Sequence, residues 1–360
     1  MSTSTSTSTV TISRRTLFAA AAALPVAASG LVAAPARRAA AQDKPEKVRL
    51  DYAYYNPLSL VLRKEGWLEE ALAADGIGVE WVLSAGSNKA NEFLRSEAID
   101  FGSTAGAAAL LARANGSPQQ IVYVYTQPEW AAIVVGKESE IADVASLKGK
   151  KIAATKGTDP YFFLLRSLNE AGLSGADVEV VVLQHADGRT ALERGDVDAW
   201  AGLDPLMAAS ELEAGSKLIY RNPEFPTYGV LNGREAFITQ YPAVTETVLT
   251  AYEQARQWIL ANPDGAAQVL SDESKLPIDV ATKVLTERTA IDIDPVPGEA
   301  LASTLAAIIP IFVDEAQVKP DTDVQASLDT LFAPQYIEAV LAAAPAATPP
   351  AQPRAFRRAT

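Results

Sequence analysis

The chain has 360 residues, with 31 Lys and Arg against 44 Asp and Glu, one histidine and no cysteine. At roughly 100 to 200 residues per domain the length predicts about two domains, and a hydrophobic share of 48% is enough for a buried core, which excludes disorder as the default. The missing cysteines exclude disulfides, thiolate metal sites, iron–sulfur clusters, a lipidated N-terminal cysteine and a cysteine nucleophile, and one histidine leaves little metal or acid–base chemistry.

Residues 1–41 read as a targeting segment and not as structure. A polar Ser/Thr repeat leads to Ser13-Arg14-Arg15-Thr16-Leu17-Phe18, an alanine-rich apolar stretch runs from Leu17 to Ala34, and Ala39-Ala40-Ala41 supplies the small residues that a signal peptidase accepts. Twin arginines ahead of a mildly apolar stretch resemble a Tat-type export signal. The alternative is a membrane anchor, which needs about 20 strongly apolar residues; Pro25, Gly30 and the many alanines argue against it. Removing Arg14, Arg15, Arg37 and Arg38 with the signal takes the formal net charge from −13 to −17, four positive charges fewer. So acidic a balance argues against nucleic acid or an anionic membrane as partner, because phosphates are held by basic patches.

In the mature chain, residues 48–55 have strand composition and end at Asn56-Pro57. The spacing of Leu60, Trp67 and Ala71, with Val61, Leu68 and Leu72, predicts one helix over 60–74. A strand is predicted at 79–83, a small polar turn at 84–88, a short helix at 90–95 and a strand at 99–101 that runs into Gly102-Ser103-Thr104 and a helix over 105–114. After apolar strands at 120–125 and 131–135 the same order restarts. Strands are predicted at 150–155, 178–183 and 197–201, with helices at 161–171 and 187–193 between them. Alternating strand, loop and helix predicts α/β architecture with parallel sheets and ligands beyond the carboxyl ends of the strands.

The run Leu94-Arg95-Ser96-Glu97-Ala98-Ile99-Asp100-Phe101 is echoed 98 residues later by Leu192-Glu193-Arg194-Gly195-Asp196-Val197-Asp198-Ala199, consistent with two lobes built alike. From Pro242 the chain turns helical, over 243–261, 263–271, 278–289 and 298–315. The Ala/Pro-rich segment 344–360 is predicted to be disordered.

Four stretches share one design, a strand that stops, then Gly with small hydroxyl or acidic residues, then a helix: Gly86-Ser87-Asn88, Gly102-Ser103-Thr104, Gly157-Thr158-Asp159 and Gly202-Leu203-Asp204-Pro205. Helix N-termini offer unpaired N–H groups and partial positive charge, so an acidic protein can still hold an anion there. Each stretch alone reads first as an ordinary N-cap, and only convergence on one cleft distinguishes a ligand site. Tyr54, Tyr55, Trp130, Tyr161, Phe162 and Trp200 lie near these loops and could wall an organic ligand. Asp159 reads as a cap of the following helix. Asp204 reads either as a cap or as a partner for a ligand ammonium. His185 reads as a lone surface histidine.

These phrases, with Asp143-Val144-Ala145-Ser146-Leu147-Lys148-Gly149-Lys150-Lys151-Ile152-Ala153, Lys156-Gly157-Thr158, Ala191 through Trp200 and Asp204-Pro205, resemble the aliphatic-sulfonate, taurine and nitrate branch of ABC-transporter substrate-binding proteins. The resemblance runs from Val48 to Ile238 and more loosely beyond. It implies a two-lobed periplasmic-binding-protein (Venus flytrap) fold of type II. One lobe would be formed by 42–127 and 228–343 and the other by 128–227, with crossings near Thr126 to Trp130 and Phe225 to Tyr228. By the same analogy Tyr55 and Asn56, Ser87, Gly102-Ser103-Thr104, Trp130, Gly157-Thr158-Asp159, Asp187, Trp200, Asp204 and Tyr228 face the cleft. Sulfonate binders commonly continue the first-lobe loop with Gly-Asp and prolines, whereas this chain has Ala105-Gly106-Ala107-Ala108-Ala109.

The implied protein is an exported, periplasmic monomer that binds a small organic anion, an aliphatic sulfonate before nitrate or a pyrimidine, and hands it to a membrane permease. No cofactor and no catalytic step are expected. Enzymes on this fold, the sulfinate desulfinases and the thiamine-pathway pyrimidine synthases, depend as families on reactive cysteine or on histidine with iron. An exported sensor is a further alternative.

Overall fold

A computed structural model describes residues 44–343; the expectations for 1–41 and 344–360 lie outside the described residues. Strand β1 (Lys47–Tyr52) turns Val48 and Leu50 fully into the core, following the two-residue period of a strand. Helices α1 (Pro57–Glu65) and α2 (Trp67–Ala73), strand β2 (Gly78–Leu83), helix α3 (Ser87–Arg95), strand β3 (Phe101–Ala105), helix α4 (Gly106–Ala114) and the long strand β4 (Gln119–Pro128) follow. A second run comprises β5 (Ala131–Val135), β6 (Lys151–Ala154), α5 (Asp159–Glu170), β7 (Glu179–Val182), α6 (His185–Arg194), β8 (Ala199–Leu203), α7 (Leu206–Ala209), a π-helical turn over Ser210–Ala214, and β9 (Lys217–Tyr220). Strand β10 (Gly229–Arg234) returns to the first sheet. After it come α8 (Glu235–Gln240), α9 (Pro242–Ala261), α10 (Pro263–Ser274), α11 (Ile278–Glu287), the short β11 (Thr289–Ala290), α12 (Glu299–Ala306), α13 (Ile309–Asp314), α14 (Val324–Asp329) and α15 (Gln335–Ala343).

The strands form a six-stranded sheet in the order β11-β4-β10-β3-β1-β2 and a five-stranded sheet in the order β7-β6-β8-β5-β9. Strands β1, β2 and β3 pair in parallel, as do β6, β7 and β8, while β10 and β5 run antiparallel to their neighbours. Every residue of β3, β5 and β8 is buried, the continuous burial of strands covered on both faces by helices. Behind both sheets, Leu301 and Leu305 of α12 and Phe312 of α13 share a core with α4 and with Phe162 and Leu165 of α5. Side chains of this kind contribute about 1.5–3 kcal/mol each when fully buried.

Three predicted boundaries are corrected. The single helix over 60–74 is two helices, because Gly66 adopts a left-handed conformation (φ 71°, ψ 20°) and donates its N–H to Leu62 O, ending α1. Gly102-Ser103-Thr104 is not a loop but the body of β3, since Leu231 and Asn232 of β10 pair with Ser103 and Gly102 and extend the ladder; Gly202 and Leu203 likewise belong to β8, paired with Ala132 and Ala131. The predicted helix over 298–315 breaks into α12 and α13, because Pro310 has no N–H to carry the ladder through.

The sequence echo has a structural counterpart. Asp100 and Asp198 each stand just before the strand that their motif leads into, and each clasps one residue of a neighbouring strand through both its carboxylate and its main-chain N–H. Arg49 N donates to Asp100 Oδ2 (3.0 Å) and Asp100 N to Arg49 O (2.7 Å), while Lys151 N donates to Asp198 Oδ2 (2.8 Å) and Asp198 N to Lys151 O (2.9 Å). The repeated aspartate therefore fixes the register of β1 against β3 and of β6 against β8.

Candidate functional site

The site is built where the carboxyl ends of both sets of parallel strands meet. On the six-stranded side, Asn56 caps α1 by accepting from Ser59 N (3.2 Å) and donates through Nδ2 to Ser103 Oγ (2.8 Å). Ser103 donates its N–H and hydroxyl to Asp51 Oδ1, both at 2.8 Å, and its carbonyl accepts from Tyr55 OH (3.0 Å). Burial pushes the Asp51 carboxyl up to about 7, with the Ser103 bonds pulling the other way. Thr104 Oγ1 accepts from Asn232 Nδ2 (2.8 Å) and Ser87 Oγ from Ala105 N (3.0 Å). Ser87, Asn56, Ser103 and Thr104 thus all serve the fold's own hydrogen bonds, and Gly102 lies in the strand.

On the facing side, Gly157 turns the chain with φ 76° and the Thr158 hydroxyl donates to Thr155 O (2.6 Å). Asp159 does not cap α5 through its side chain. Its carboxylate accepts from Trp130 Nε1 (2.9 Å), Thr227 N (2.8 Å) and Thr227 Oγ1 (2.6 Å), tying the outgoing and returning connections between the sheets to one residue. Burial raises its pKa, and the Thr227 and Trp130 bonds oppose that rise. Thr227 also accepts from Ala107 N (2.8 Å), and Gly106 N donates to Thr227 O and Tyr228 O, both at 3.1 Å. A side chain at Gly106 would strike the Thr227 carbonyl, which explains why glycine interrupts the alanines here. Tyr228, with φ 62°, turns the returning chain into β10.

Asp204 has two partners within the chain. It accepts from Ala208 N (2.9 Å) as a cap, and its counter-charge is Arg288, whose Nη1 lies 3.2 and 3.3 Å from the two carboxylate oxygens. Burial raises the Asp204 pKa to about 6 while Arg288 lowers it. Arg288 is itself buried beside it and is neutralised by Asp204. His185 is also corrected: it is 2% exposed, at the first position of α6, and burial pushes its pKa down to about 3. Trp200 is fully buried among Val134, Ala153, Leu192 and Met207, inside the five-stranded half, and Asp187 is exposed on the first turn of α6.

Other predicted residues do meet. Tyr55 and Trp130 stack edge to face with centroids 6.0 Å apart. Together with Asp204, Pro128 and Thr289 they line a cavity of about 10 Å³, room for one water. Elsewhere between the two sheets, a Cβ placed on Gly86 would be 3.1 Å from His185 Nε2, and one placed on Gly157 would be 3.7 Å from Asn88 Cβ. The first turns of α3, α5 and α6 therefore approach one another, and none carries a side-chain cap. A larger hollow of about 310 Å³ lies beside the outgoing connection, between Gln127–Glu129 and Thr286–Ala290. Sequence reasoning missed Thr227, Arg288 and the burial of His185. Their partners lie 68, 84 and 30 residues away, and no local pattern marks them.

Comparisons with known proteins agree with this architecture. A protein of Escherichia coli (strain K12) named for binding aliphatic sulfonates is 30% identical over 281 residues, 77% of this chain and 87% of that one. A Bacillus subtilis (strain 168) protein of the same name is 29% identical over 63% of this chain and 69% of its own length. The alkanesulfonate-binding protein SsuA from Xanthomonas axonopodis pv. citri, solved bound to MOPS, superimposes with a TM-score of 0.72 at 26% identity, covering 79% of this chain and 98% of that one. The aliphatic sulphonate binding protein SsuA from Escherichia coli, at 24% identity and a TM-score of 0.68, shares the periplasmic-binding-protein fold. The NMT1/THI5 like family model matches residues 60–266, more than half of the sequence, and the chain belongs to that family.

Proposed function

We propose that this protein is the solute-binding component of an ABC importer and captures an aliphatic sulfonate. The observation that carries the reading is the meeting of three helix starts, those of α3, α5 and α6, at one seam between the two sheets. Backbone N–H groups there can receive the oxygens of a sulfonate without a cationic side chain, and desolvation strengthens those bonds. The aromatic pair Tyr55 and Trp130 offers an apolar wall for the aliphatic part. The named functions of the Escherichia coli and Bacillus subtilis relatives support the same ligand class.

In this proposal residues 42–127 and 228–343 form one lobe and 128–227 the other. The cavity beside Tyr55 and Trp130 has room for one water, so an organic anion enters there only after the lobes separate. The ligand then favours closure by the contacts that it makes with both lobes at once. The protein works as an exported, periplasmic monomer, delivered by a Tat-type signal, that presents its cargo to a membrane permease and performs no chemistry on it. The chain's composition supports the last point: it has no cysteine, and its one histidine is held neutral by burial.

Thermal unfolding with and without ligand tests the reading. Ethanesulfonate or MOPS at 100 times its Kd should stabilise the protein by about 2.7 kcal/mol. Stabilisation by nitrate or an aminopyrimidine, with none by any sulfonate, would reassign the ligand.

A further inference from the structure

We infer that the contact between Gly86 and His185 is a proton-operated latch, which keeps the six-stranded and five-stranded halves together while the imidazole is neutral and lets them part when it takes up a proton. The inference rests on the reading of two separable lobes above and not on the identity of the ligand. Gly86 stands between β2 and α3 in the six-stranded half, and His185 opens α6 in the five-stranded half. The ring turns its Nε2 and Cδ2 edge to the glycine, since a Cβ placed on Gly86 would be 3.1 and 3.2 Å from those atoms. Glycine, with no side chain, is what lets the ring approach so closely.

The opposite edge of the ring is anchored within its own half. Nδ1 lies 3.2 Å from Thr155 Oγ1, and the Thr155 hydroxyl is directed at Leu183 O at 2.7 Å. With the threonine proton committed there, Nδ1 carries the imidazole proton and donates it to Thr155, and Nε2 keeps its lone pair. Nε2 is buried and has no partner. Adding a proton to it buries a positive charge, and burial is what pushes the imidazole down to about 3. When the halves part, Gly86 leaves and the same edge meets water, where a histidine ordinarily titrates near 6.5. The ring therefore takes a proton far more readily with the halves apart, and by linkage proton uptake favours separation.

No charge on the surrounding elements relieves that cost. Among the described residues, Lys89 of α3 pairs with Glu92, and Lys156, before α5, is exposed. On α6 itself Arg189 is held by Glu193 and Glu213, and Asp187 is exposed. Lys151 and Glu179 pair at the opposite ends of β6 and β7. Asp198, ahead of β8, accepts from Lys151 N there. Asp159 accepts from Trp130 and Thr227, and Asp204 faces Arg288. Burial raises the pKa of Asp159, and that of Asp204 to about 6, so these two carboxyls hold a proton more readily while enclosed and act against the latch.

One histidine and no cysteine in the chain leave two readouts free of background. Spin labels on Arg95→Cys and Arg194→Cys, both exposed at the last positions of α3 and α6, report the separation of the halves in the ligand-free mature protein, made without a histidine tag. Relative to the same labels in His185→Gln, which stays neutral and keeps every carboxyl, the ratio of short to long distances should fall by up to tenfold per pH unit from 6.5 to 4.5, about a hundredfold in all. The imidazole NMR signal should show a protonation midpoint below 6.5 in the parent that moves toward 6.5 in Gly86→Ala, where the seam is wedged open. The NMR arm decides even where His185→Gln fails to fold. The same pH course in parent and His185→Gln, or one midpoint near 6.5 in both parent and Gly86→Ala, would overturn the inference while leaving the hinged reading intact. A single short distance at every pH, in parent and Gly86→Ala alike, would remove both.

Discussion

Arg288 and Asp204 form an ion pair whose side chains are only 2% and 3% exposed, joining the end of α11 to the exit of β8. The same guanidinium reaches Glu211 through Nη2, and Arg288 O accepts from Glu129 N at 2.7 Å. One residue thus touches both the five-stranded half and the outgoing connection. Removing two charges from water is costly, and their mutual attraction roughly offsets it, so the asymmetry of the pair matters more than its net worth.

Arg288→Met should therefore lower the unfolding free energy by about 3–5 kcal/mol, because it leaves Asp204 buried and unpaired. The double variant Arg288→Met with Asp204→Leu should recover most of that loss. Urea midpoints measure both, and a single variant with the parent's midpoint would show that the pair is not closed in solution.

Stability should depend on pH through two groups of opposite sign. Asp51, pushed up to about 7 by burial, keeps a proton in the native state that the unfolded chain releases above about pH 4. Its contribution is complete below pH 4 and lost as pH rises through about 7, so Asp51→Asn should gain on the parent across that window by up to about 1.4 kcal/mol per pH unit. His185, pushed down to about 3, refuses a proton that the unfolded chain accepts below about 6.5. Its contribution is complete above 6.5 and lost as pH falls, so His185→Gln should gain as pH is lowered from 6.5 to 4. Parallel curves of melting temperature against pH for the three proteins would contradict both assignments.

Tryptophan fluorescence should separate the two tryptophans placed at the cleft by sequence. Trp130 stacks on Tyr55 and donates to Asp159 beside the seam, whereas Trp200 is fully enclosed in the five-stranded half. A ligand-induced emission change should survive Trp200→Phe and lose most of its amplitude in Trp130→Phe. Trp200→Phe should instead destabilise the fold, by about 1–3 kcal/mol. A signal that vanishes only with Trp200 would move the ligand away from Trp130.

Gly86 should matter sterically and not conformationally, since its φ of 170° is open to any residue. A methyl group there would be 2.8 Å from Asn88 Oδ1 and 3.1 Å from His185 Nε2, so Gly86→Ala should wedge the seam open. Ligand affinity should drop by at least about tenfold with little change in melting temperature, and adding His185→Ala should restore part of it. Small-angle scattering with saturating ligand reads the closure directly.

The α/β architecture was legible because period-two apolar runs and small-residue turns are local signals. The extension of β3 through Gly102, Ser103 and Thr104 was not, because it is imposed by β10, whose Asn232 lies 130 residues beyond Gly102. Tyr55 and Trp130 could be picked out by their positions beside breaks in the pattern, and they meet. Trp200 shares that sequence context but points into the five-stranded half, a choice made by strand alternation and packing that Gly202 and Asp204 do not reveal. The burial of His185 depends on Gly86 lying against it from the other sheet, a relation that no neighbouring residue encodes.

Thr126 and Gly229 are register partners on β4 and β10, so the chain leaves the six-stranded sheet and comes back to it through adjacent strands. Everything between is a contiguous insert with both ends side by side. New termini could be opened within it without removing any strand of the six-stranded sheet, whereas a short turn in its place would take away Gln127 and Pro128, the partners of β11. The same layout leaves the pairing of β10, β3, β1 and β2 independent of what fills the insert.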